Sequence, residues 1–155
     1  MVIRRAEEQD IPGLLALLQQ VGQVHHQIRP DIFRDGAQKY DAGALKDMLT
    51  QPDKPIFVAV EDSFVVGYCF CVHKSCKDHP IFNDRSELYI DDLCVDEKSR
   101  GSGIAKSLYV HVQRYAKESG CNVITLNVWC GNDSAQRFYE KMGMTARNVT
   151  MEQPL

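Results

Sequence analysis

No hydrophobic run in this sequence approaches the roughly 20 consecutive apolar residues that a membrane-spanning helix requires. The residues from Met1 to Glu8 also lack the apolar segment of a secretory signal peptide. Neither sign of charge is in large excess, because 18 Lys and Arg residues stand against 21 Asp and Glu residues, mixed along the chain. This pattern argues against a basic stripe for nucleic acid and a polybasic patch for a membrane. We therefore expect a cytoplasmic protein with neither kind of partner.

The chain contains no Cys-x-x-Cys pair, although it has six cysteines. These are Cys69, Cys71, Cys76, Cys94, Cys121 and Cys130. No histidines are spaced to complete a zinc site with them, so we expect no metal. Buried free thiols are the ordinary state of such residues, and we expect them here.

Repeats, low-complexity tracts and linker-like segments are also absent. A chain of 155 residues with 44% hydrophobic content can bury one core, so we expect a single domain over residues 1–155.

Hydrophobic periodicity and turn residues predict the element order β-α-α-β-β-β-α-β-α-β. The predicted strands cover residues 2–5, 56–60, 64–72, 88–95, 122–128 and 144–151. Helices are predicted from Asp10 to residue 21 and over 44–49, 104–116 and 132–142. Residues 25–40 are predicted as a loop with room for one helical turn, of the kind that lines binding sites. This order indicates an α/β fold in which antiparallel hairpins lead into a strand-helix-strand crossover.

One glycine-bearing turn, at residues 100–106, follows a predicted strand and opens a predicted helix. Such a turn presents free backbone N–H groups and the positive end of a helix dipole to an anion, and glycines allow close approach. A Rossmann motif would need glycine or alanine at Lys106, and a Walker loop would need glycine where Ala105 stands. Neither nucleotide motif fits, so the turn favours another phosphate-bearing ligand.

The segment Arg100-Gly101-Ser102-Gly103-Ile104-Ala105 matches the pyrophosphate signature (Q/R)-x-x-G-x-(G/A), and in this the chain resembles the GNAT family of N-acetyltransferases. About 30 residues later, Asn132-x-x-Ala135-x-x-Phe138-Tyr139 looks like the family's C-terminal coenzyme motif. The resemblance implies the GNAT fold, an α/β fold with a mixed, mostly antiparallel central sheet, a bulged fourth strand and flanking helices. The strand at residues 93–95 stands where the family has its bulge.

The resemblance also implies direct transfer of an acetyl group from acetyl-CoA to an amine. Backbone amides of the turn would hold the pyrophosphate, and residues 93–95 would lie beside the pantetheine arm and stabilise the oxyanion. Asn132 would cap its helix and contact the pantetheine, while Tyr139 would return a proton to the thiolate, the alternative for Tyr139 being simple packing beside Phe138. The implied coenzyme-binding residues are Leu93, Cys94, Val95, Arg100, Gly101, Ser102, Gly103, Ile104, Ala105, Lys106, Asn132 and Tyr139.

Two carboxylates, Asp91 and Asp92, precede this strand, where the resemblance places the incoming amine. An alkyl ammonium ion is protonated at neutral pH, so a carboxylate can attract it and accept its proton. Because adjacent strand residues face opposite sides, only one of the two should meet the substrate unless a bulge turns the other. Both stay candidates for the catalytic base, and His26, Asp31 and Asp91 are the candidates for substrate binding.

The sequence leaves two classes of function open. The first is an N-acetyltransferase for a primary amine, either a cationic small molecule such as a polyamine or amino sugar, or a peptide or protein amine. The second is a CoA-binding regulatory module without turnover, against which Tyr139 and the acidic pair argue. A covalent acetyl intermediate on Cys94 is an alternative mechanism, although no base lies near it in sequence. A homodimer formed through sheet edges or last strands, as in similar folds, is a further expectation left open.

Overall fold

A five-stranded mixed sheet forms the centre of the computed structural model, which describes residues 1–155. The strands are β1 (Val2–Arg5), β2 (Ile56–Glu61), β3 (Phe64–Cys76), β4 (Arg85–Val95) and β5 (Val123–Leu126), in that order across the sheet. Neighbours from β1 to β4 are antiparallel, and β5 runs parallel to β4. The predicted mixed, mostly antiparallel sheet is thus confirmed.

Four α-helices cover the sheet on both faces. They are α1 (Ile11–Ile28), α2 (Ala42–Leu49), α3 (Ile104–Glu118) and α4 (Asp133–Lys141). Helices α1 and α2 pack on one face, the α1 face, against strand residues such as Val58 and Phe70. Helices α3 and α4 pack on the other, the α3 face, against residues such as Cys69 and Leu88. Helix α3 is also the crossover that joins the parallel strands β4 and β5.

Helix α1 forms where helical spacing puts Leu14, Leu17 and Leu18 on one buried side. Asp10 precedes the helix as predicted, but its carboxylate accepts bonds from Arg4 at 2.6 and 3.0 Å instead of capping the helix amides. This pair ties β1 to the start of α1.

The same helix is longer than the sequence predicts. It continues to Ile28, so the helical turn allowed for in the predicted loop is present at residues 25–28, as the continuation of α1. The physical reason lies beyond the helix, where Phe33 stacks on His25 at 4.9 Å and its carbonyl contacts His26 Nδ1 at 2.7 Å. Phe33, which lies outside the helix and its apolar pattern, therefore stabilises the last turn of α1.

Strand β4 carries one residue more than its partner strand. Phe70 pairs with Asp92 and Cys71 pairs with Ile90, so Asp91 has no opposite residue on β3. The predicted bulge in the fourth strand is confirmed, although it lies at Asp91, two residues before the segment 93–95 to which the sequence assigned it.

The segment after α4 contains neither helix nor strand, so the strand predicted over residues 144–151 is wrong. Its apolar residues Val149 and Met151 are exposed, because no neighbouring strand pairs with this segment. Two ion pairs hold it instead, Arg147 with Glu87 and Arg29 with Glu152.

No helix in the chain combines the length and apolar character needed to cross a membrane.

Candidate active site

The sheet opens between β4 and β5. Pairing of these strands ends at Ile90 and Leu126, whereas β4 continues to Val95, so residues 92–95 pair only with β3. The β5 side of this stretch is an unpaired strand edge, which an extended ligand can join through main-chain hydrogen bonds. Leu93, Cys94 and Val95, the residues predicted to flank a pantetheine arm, form this edge.

The glycine-bearing turn begins five residues beyond the open edge. Gly101 and Gly103 both have φ of +85°, a left-handed conformation that favours glycine, and a Cβ added to either would meet nothing within 4 Å. The first backbone bond from this segment is that of the Ser107 amide to the Gly103 carbonyl, so the amides of residues 100–106 donate to no backbone carbonyl. Free amides at the positive end of a 15-residue helix suit a pyrophosphate.

Local contacts fix this turn against the sheet. The Arg100 Nε donates to the Val95 carbonyl at 3.3 Å, and the Ser102 hydroxyl donates to the Ser99 carbonyl. Ile104 is buried at the helix start, Ala105 is half-buried, and Lys106 is exposed. Gly67 on β3 permits this close packing, since a Cβ there would lie 3.1 Å from the Cys94 carbonyl oxygen.

The bulge brings Asp91 and Asp92 to the same face of the sheet. The Asp91 carboxylate accepts bonds from Lys39 Nζ at 2.7 Å and from the Tyr40 hydroxyl at 3.1 Å. The Asp92 carboxylate accepts a bond from the Tyr68 hydroxyl at 2.7 Å. Both tyrosines belong to the α1 face, so the extra residue at the bulge cancels the usual alternation.

The two carboxylates differ in environment. Burial raises the pKa of Asp92 above its ordinary value, and the bond from Tyr68 opposes this only in part. Asp91 is paired with Lys39, and its side chain keeps 23% of its surface exposed. Asp92 therefore takes up a proton more readily than an ordinary aspartate, while Asp91 faces a cation.

Among the predicted substrate residues, neither His26 nor Asp31 hydrogen-bonds to these carboxylates. The Asp31 carboxylate pairs with Arg29 at 2.6 Å and is exposed, while His26 contacts the Phe33 carbonyl as described. His25 is the histidine of the pair that feels the charges of Asp92 and Lys39. Burial lowers the pKa of His25, so its ring is neutral near pH 7.

Tyr139 lies on α4, against the α3 face. Its ring centroid is 5.1 Å from that of Phe138 and 6.4 Å from that of Tyr109. Burial, followed by the nearby thiol of Cys69 and carboxylate of Asp92, raises the pKa of Tyr139 well above its usual range. The phenol therefore keeps its proton, and its packing is compatible with a proton-donating role.

Asn132 occupies the position before α4, and its side-chain oxygen accepts a bond from the Ala135 amide at 3.3 Å. The predicted cap is thus present, and the side-chain amide nitrogen of Asn132 is not used by it.

Cys94 points away from the open edge. Its thiol is buried on the α1 face, 3.7 Å from the Leu17 carbonyl oxygen, and burial raises its pKa to about 12. A thiol in that state is a poor nucleophile, which argues against a covalent acetyl intermediate. No group of three or more His, Cys, Asp or Glu side chains is arranged to hold a metal ion.

A cleft of about 370 Å³ adjoins Asp91 on the α1 face. Its walls include Tyr40, Met48 and Phe70, with Asp47 and Lys54 also reaching it.

Sequence reasoning missed Lys39, Tyr40 and Tyr68 as site residues. The only signal for the first two was their place in a loop predicted to line a site, and the role of Tyr68 depends on strand register, which the sequence does not state.

Comparison with known proteins places this geometry in context. The family model of the Acetyltransferase (GNAT) family matches residues 22–144. An uncharacterized N-acetyltransferase of Bacillus subtilis, YycN, is 30% identical over 91 residues, which cover 59% of this chain and 54% of that protein. The chain spans about half the length of the first curated relatives that it matches.

Solved structures share the fold over the whole chain. A mutant of the BH1408 protein from Bacillus halodurans is 31% identical, with a TM-score of 0.96 and coverage of 100% of this chain and 99% of that one. An aminoglycoside N-acetyltransferase, AAC(6')-Iy, solved in complex with CoA, has a TM-score of 0.71 at 17% identity, covering 99% of this chain and 100% of that one. The second likeness concerns the fold alone.

Proposed function

The chain belongs to the acetyltransferase (GNAT) family, and we propose on that basis that it transfers an acetyl group from acetyl-CoA directly to the primary amine of a cationic small molecule. Acetyl-CoA supplies the acetyl group as a thioester whose sulfur leaves as a thiolate. The observation that carries the proposal is the pair of carboxylates at the β4 bulge, Asp91 and Asp92, which share one face of the sheet next to an open strand edge.

The coenzyme half of the proposal rests on the turn and the open edge. Free amides of residues 100–106 and the guanidinium of Arg100 bind the pyrophosphate, since an anion is favoured at a helix N-terminus. The edge formed by Leu93, Cys94 and Val95 hydrogen-bonds the pantetheine through main-chain groups, and an amide there stabilises negative charge on the carbonyl oxygen. Asn132 adds a side-chain amide from the start of α4.

The acceptor half rests on charge. Asp91 attracts the alkyl ammonium, as its contact with the Lys39 ammonium illustrates, and the Tyr40 ring lies beside that cation at 5.5 Å. Asp91 or Asp92 takes the proton that the amine must lose before it can attack. The raised pKa of Asp92 makes its ionised form a stronger base than an ordinary aspartate.

Proton return is assigned to Tyr139. Burial raises the pKa of Tyr139, so the phenol is protonated at neutral pH, as a proton donor must be, and it is a weaker acid than a free tyrosine. Tyr139 thus acts on the leaving sulfur, and the carboxylates of Asp91 and Asp92 act on the attacking nitrogen.

The test is transfer by the Asp91→Asn variant to a diamine and to a neutral-tailed monoamine of the same length. Loss of the carboxylate should lower kcat/KM for the diamine by about tenfold or more, since one charge-assisted contact to the cation is lost. Asp62→Asn is the matched control, because Asp62 is exposed in the β2–β3 hairpin at a positive φ that asparagine also adopts. Equal kcat/KM for Asp91→Asn and the unmodified protein would remove Asp91 from the acceptor site.

A further inference from the structure

The position beside Asp91 already holds a primary ammonium group, and it belongs to the chain itself. Lys39 Nζ lies 2.7 Å from Asp91 Oδ2, and it stands 5.5 Å from the centre of the Tyr40 ring. A flexible alkyl chain ending in an ammonium on a carboxylate is the chemistry that the proposed function assigns to the acceptor. Lys39 therefore presents the chain's own version of an acceptor amine.

The backbone around Lys39 is anchored. The next residue, Tyr40, stacks on buried Phe70 with ring centroids 5.7 Å apart, and Phe70 pairs directly with Asp92 across the sheet. The residue after that, Asp41, caps α2 through a 2.8 Å bond from the Ala44 amide. These contacts hold the end of the loop beside the bulge, so the folded chain itself places the Lys39 ammonium next to Asp91.

The charge environment of Lys39 agrees with this placement. Burial alone would lower the pKa of Lys39, but its bond to the Asp91 carboxylate and the charges of Asp91 and Asp92 raise it. The resident group is therefore an ammonium ion, the protonation state in which an alkylamine acceptor also arrives.

We propose that Lys39 is a self-acetylation site, at which the chain uses acetyl-CoA to acetylate its own amine, an inference that rests on the proposed function. The Lys39 ammonium gives a proton to Asp91 or Asp92, and its nitrogen forms an amide bond to the acetyl carbon. The carbon–sulfur bond of the thioester breaks as the nitrogen loses its second proton, and that proton balances the one that the departing sulfur takes up. The products are acetylated Lys39 and CoA.

The modification has a consequence for the site. Acetylated Lys39 is neutral and no longer pairs with Asp91, so the carboxylate keeps only its bond from the Tyr40 hydroxyl. A free cationic amine then binds without displacing an internal competitor. Self-acetylation therefore converts the acceptor site from an occupied to an available form.

The first experiment incubates the full chain with acetyl-CoA alone and measures acetylation of each lysine by peptide mass spectrometry. Lys46 is the matched control, because it too pairs with a carboxylate, that of Glu8 at 2.6 Å, but on the exposed outer side of α2. Lys39 should gain acetyl at least about tenfold faster than Lys46. The fraction modified per unit time should not depend on protein concentration, because the reaction is intramolecular. Equal rates at the two lysines would indicate surface chemistry and overturn the inference.

A parallel incubation with free amines separates the two proposals. If a free amine is acetylated while Lys39 stays unmodified, the inference is wrong and the proposed function stands. If neither is acetylated, both the proposed function and the inference that rests on it fail. Acetylation of Lys39 that persists at the full rate in Asp91→Asn would also overturn the inference, because it would not use the acceptor site.

A pair of substitutions tests the consequence for the site. Lys39→Gln removes the charge and should lower the KM for a cationic acceptor by about two- to fivefold, whereas Lys39→Arg keeps the charge and should not lower it. Equal KM values for Lys39→Gln and Lys39→Arg would show that Lys39 does not compete for Asp91.

Discussion

Tyr68 donates a 2.7 Å hydrogen bond to the Asp92 carboxylate from a side chain with no exposed surface. The two residues lie on adjacent strands, Tyr68 opposite Cys94 and Asp92 opposite Phe70. Burial raises the pKa of Asp92, and this bond is the largest effect opposing the rise. The phenol on the neighbouring strand therefore limits how far burial raises the pKa of Asp92.

Tyr68→Phe tests that relationship. Without the donor the pKa of Asp92 rises further, so its ionised form is lost at a higher pH as the solution is acidified. If Asp92 is the catalytic base, the acid limb of the kcat/KM profile moves to higher pH in the variant. An acid limb at the same pH in both proteins would exclude Asp92 and leave Asp91 as the base.

Gly103→Ala tests the pyrophosphate turn. Alanine at φ +85° costs about 1 kcal/mol in backbone conformation and places a methyl group beside the free amides. We expect acetyl-CoA affinity, measured by calorimetry, to fall by about tenfold or more. Gly120→Ala is the control, since Gly120 has φ +74° and open space around it but stands at the far end of α3. Equal losses of affinity in the two variants would point to general destabilisation and against the turn.

Tyr139→Phe tests the proton donor. Removal of the hydroxyl should lower kcat by about 10²-fold or more and leave acetyl-CoA affinity nearly unchanged, because the ring still packs on Phe138. Tyr109→Phe, in the neighbouring ring, should keep both values, since nothing assigns its hydroxyl a proton to transfer. A Tyr139→Phe enzyme with normal kcat would leave packing as the role of this residue.

Asp10→Asn tests the pairing that joins β1 to α1. Burial pushes the pKa of Asp10 up, but Arg4 and the Glu7 amide lower it below its ordinary 3.8. The carboxylate's contribution to stability is therefore present above that value and is lost as pH falls through the lower folded pKa. Urea unfolding should show a loss of about 1–2 kcal/mol at pH 7, partly screened on the exposed side of Arg4. The difference should shrink at pH 3, and a constant difference would contradict the ionic origin. Glu8→Gln, which breaks an exposed pair, should have no measurable effect.

Much of the fold is predictable because local patterns decide it. Leu14, Leu17 and Leu18 mark α1 by their spacing, and the near-continuous apolar runs in β3 and β4 mark two strands that bury both faces. The end of α1 was missed because Phe33 stabilises it from outside the helical pattern. The strand predicted over residues 144–151 is wrong for a related reason, because no neighbouring strand pairs with these residues.

Part of the candidate site is also predictable from local sequence and part is not. Arg100, Gly101 and Gly103 lie within four residues, so one motif predicts the turn. The bulge at Asp91 is a property of the β3–β4 register, and only the paired strands show which residue is extra. Lys39 and Tyr68 reach the two carboxylates from elements 52 and 24 residues away, distances that no local pattern encodes.

Product mass spectrometry can detect acetyl transfer from acetyl-CoA to a cationic amine at the bulge. The protein is incubated with acetyl-CoA and a panel of polyamines, amino sugars, amino acids and basic peptides, with Asp91→Asn in parallel. We expect acetylated product from a cationic small amine and a strong reduction in the Asp91→Asn variant. Product from basic peptides alone, or no product from any amine despite acetyl-CoA binding, would exclude a cationic small molecule as the acceptor.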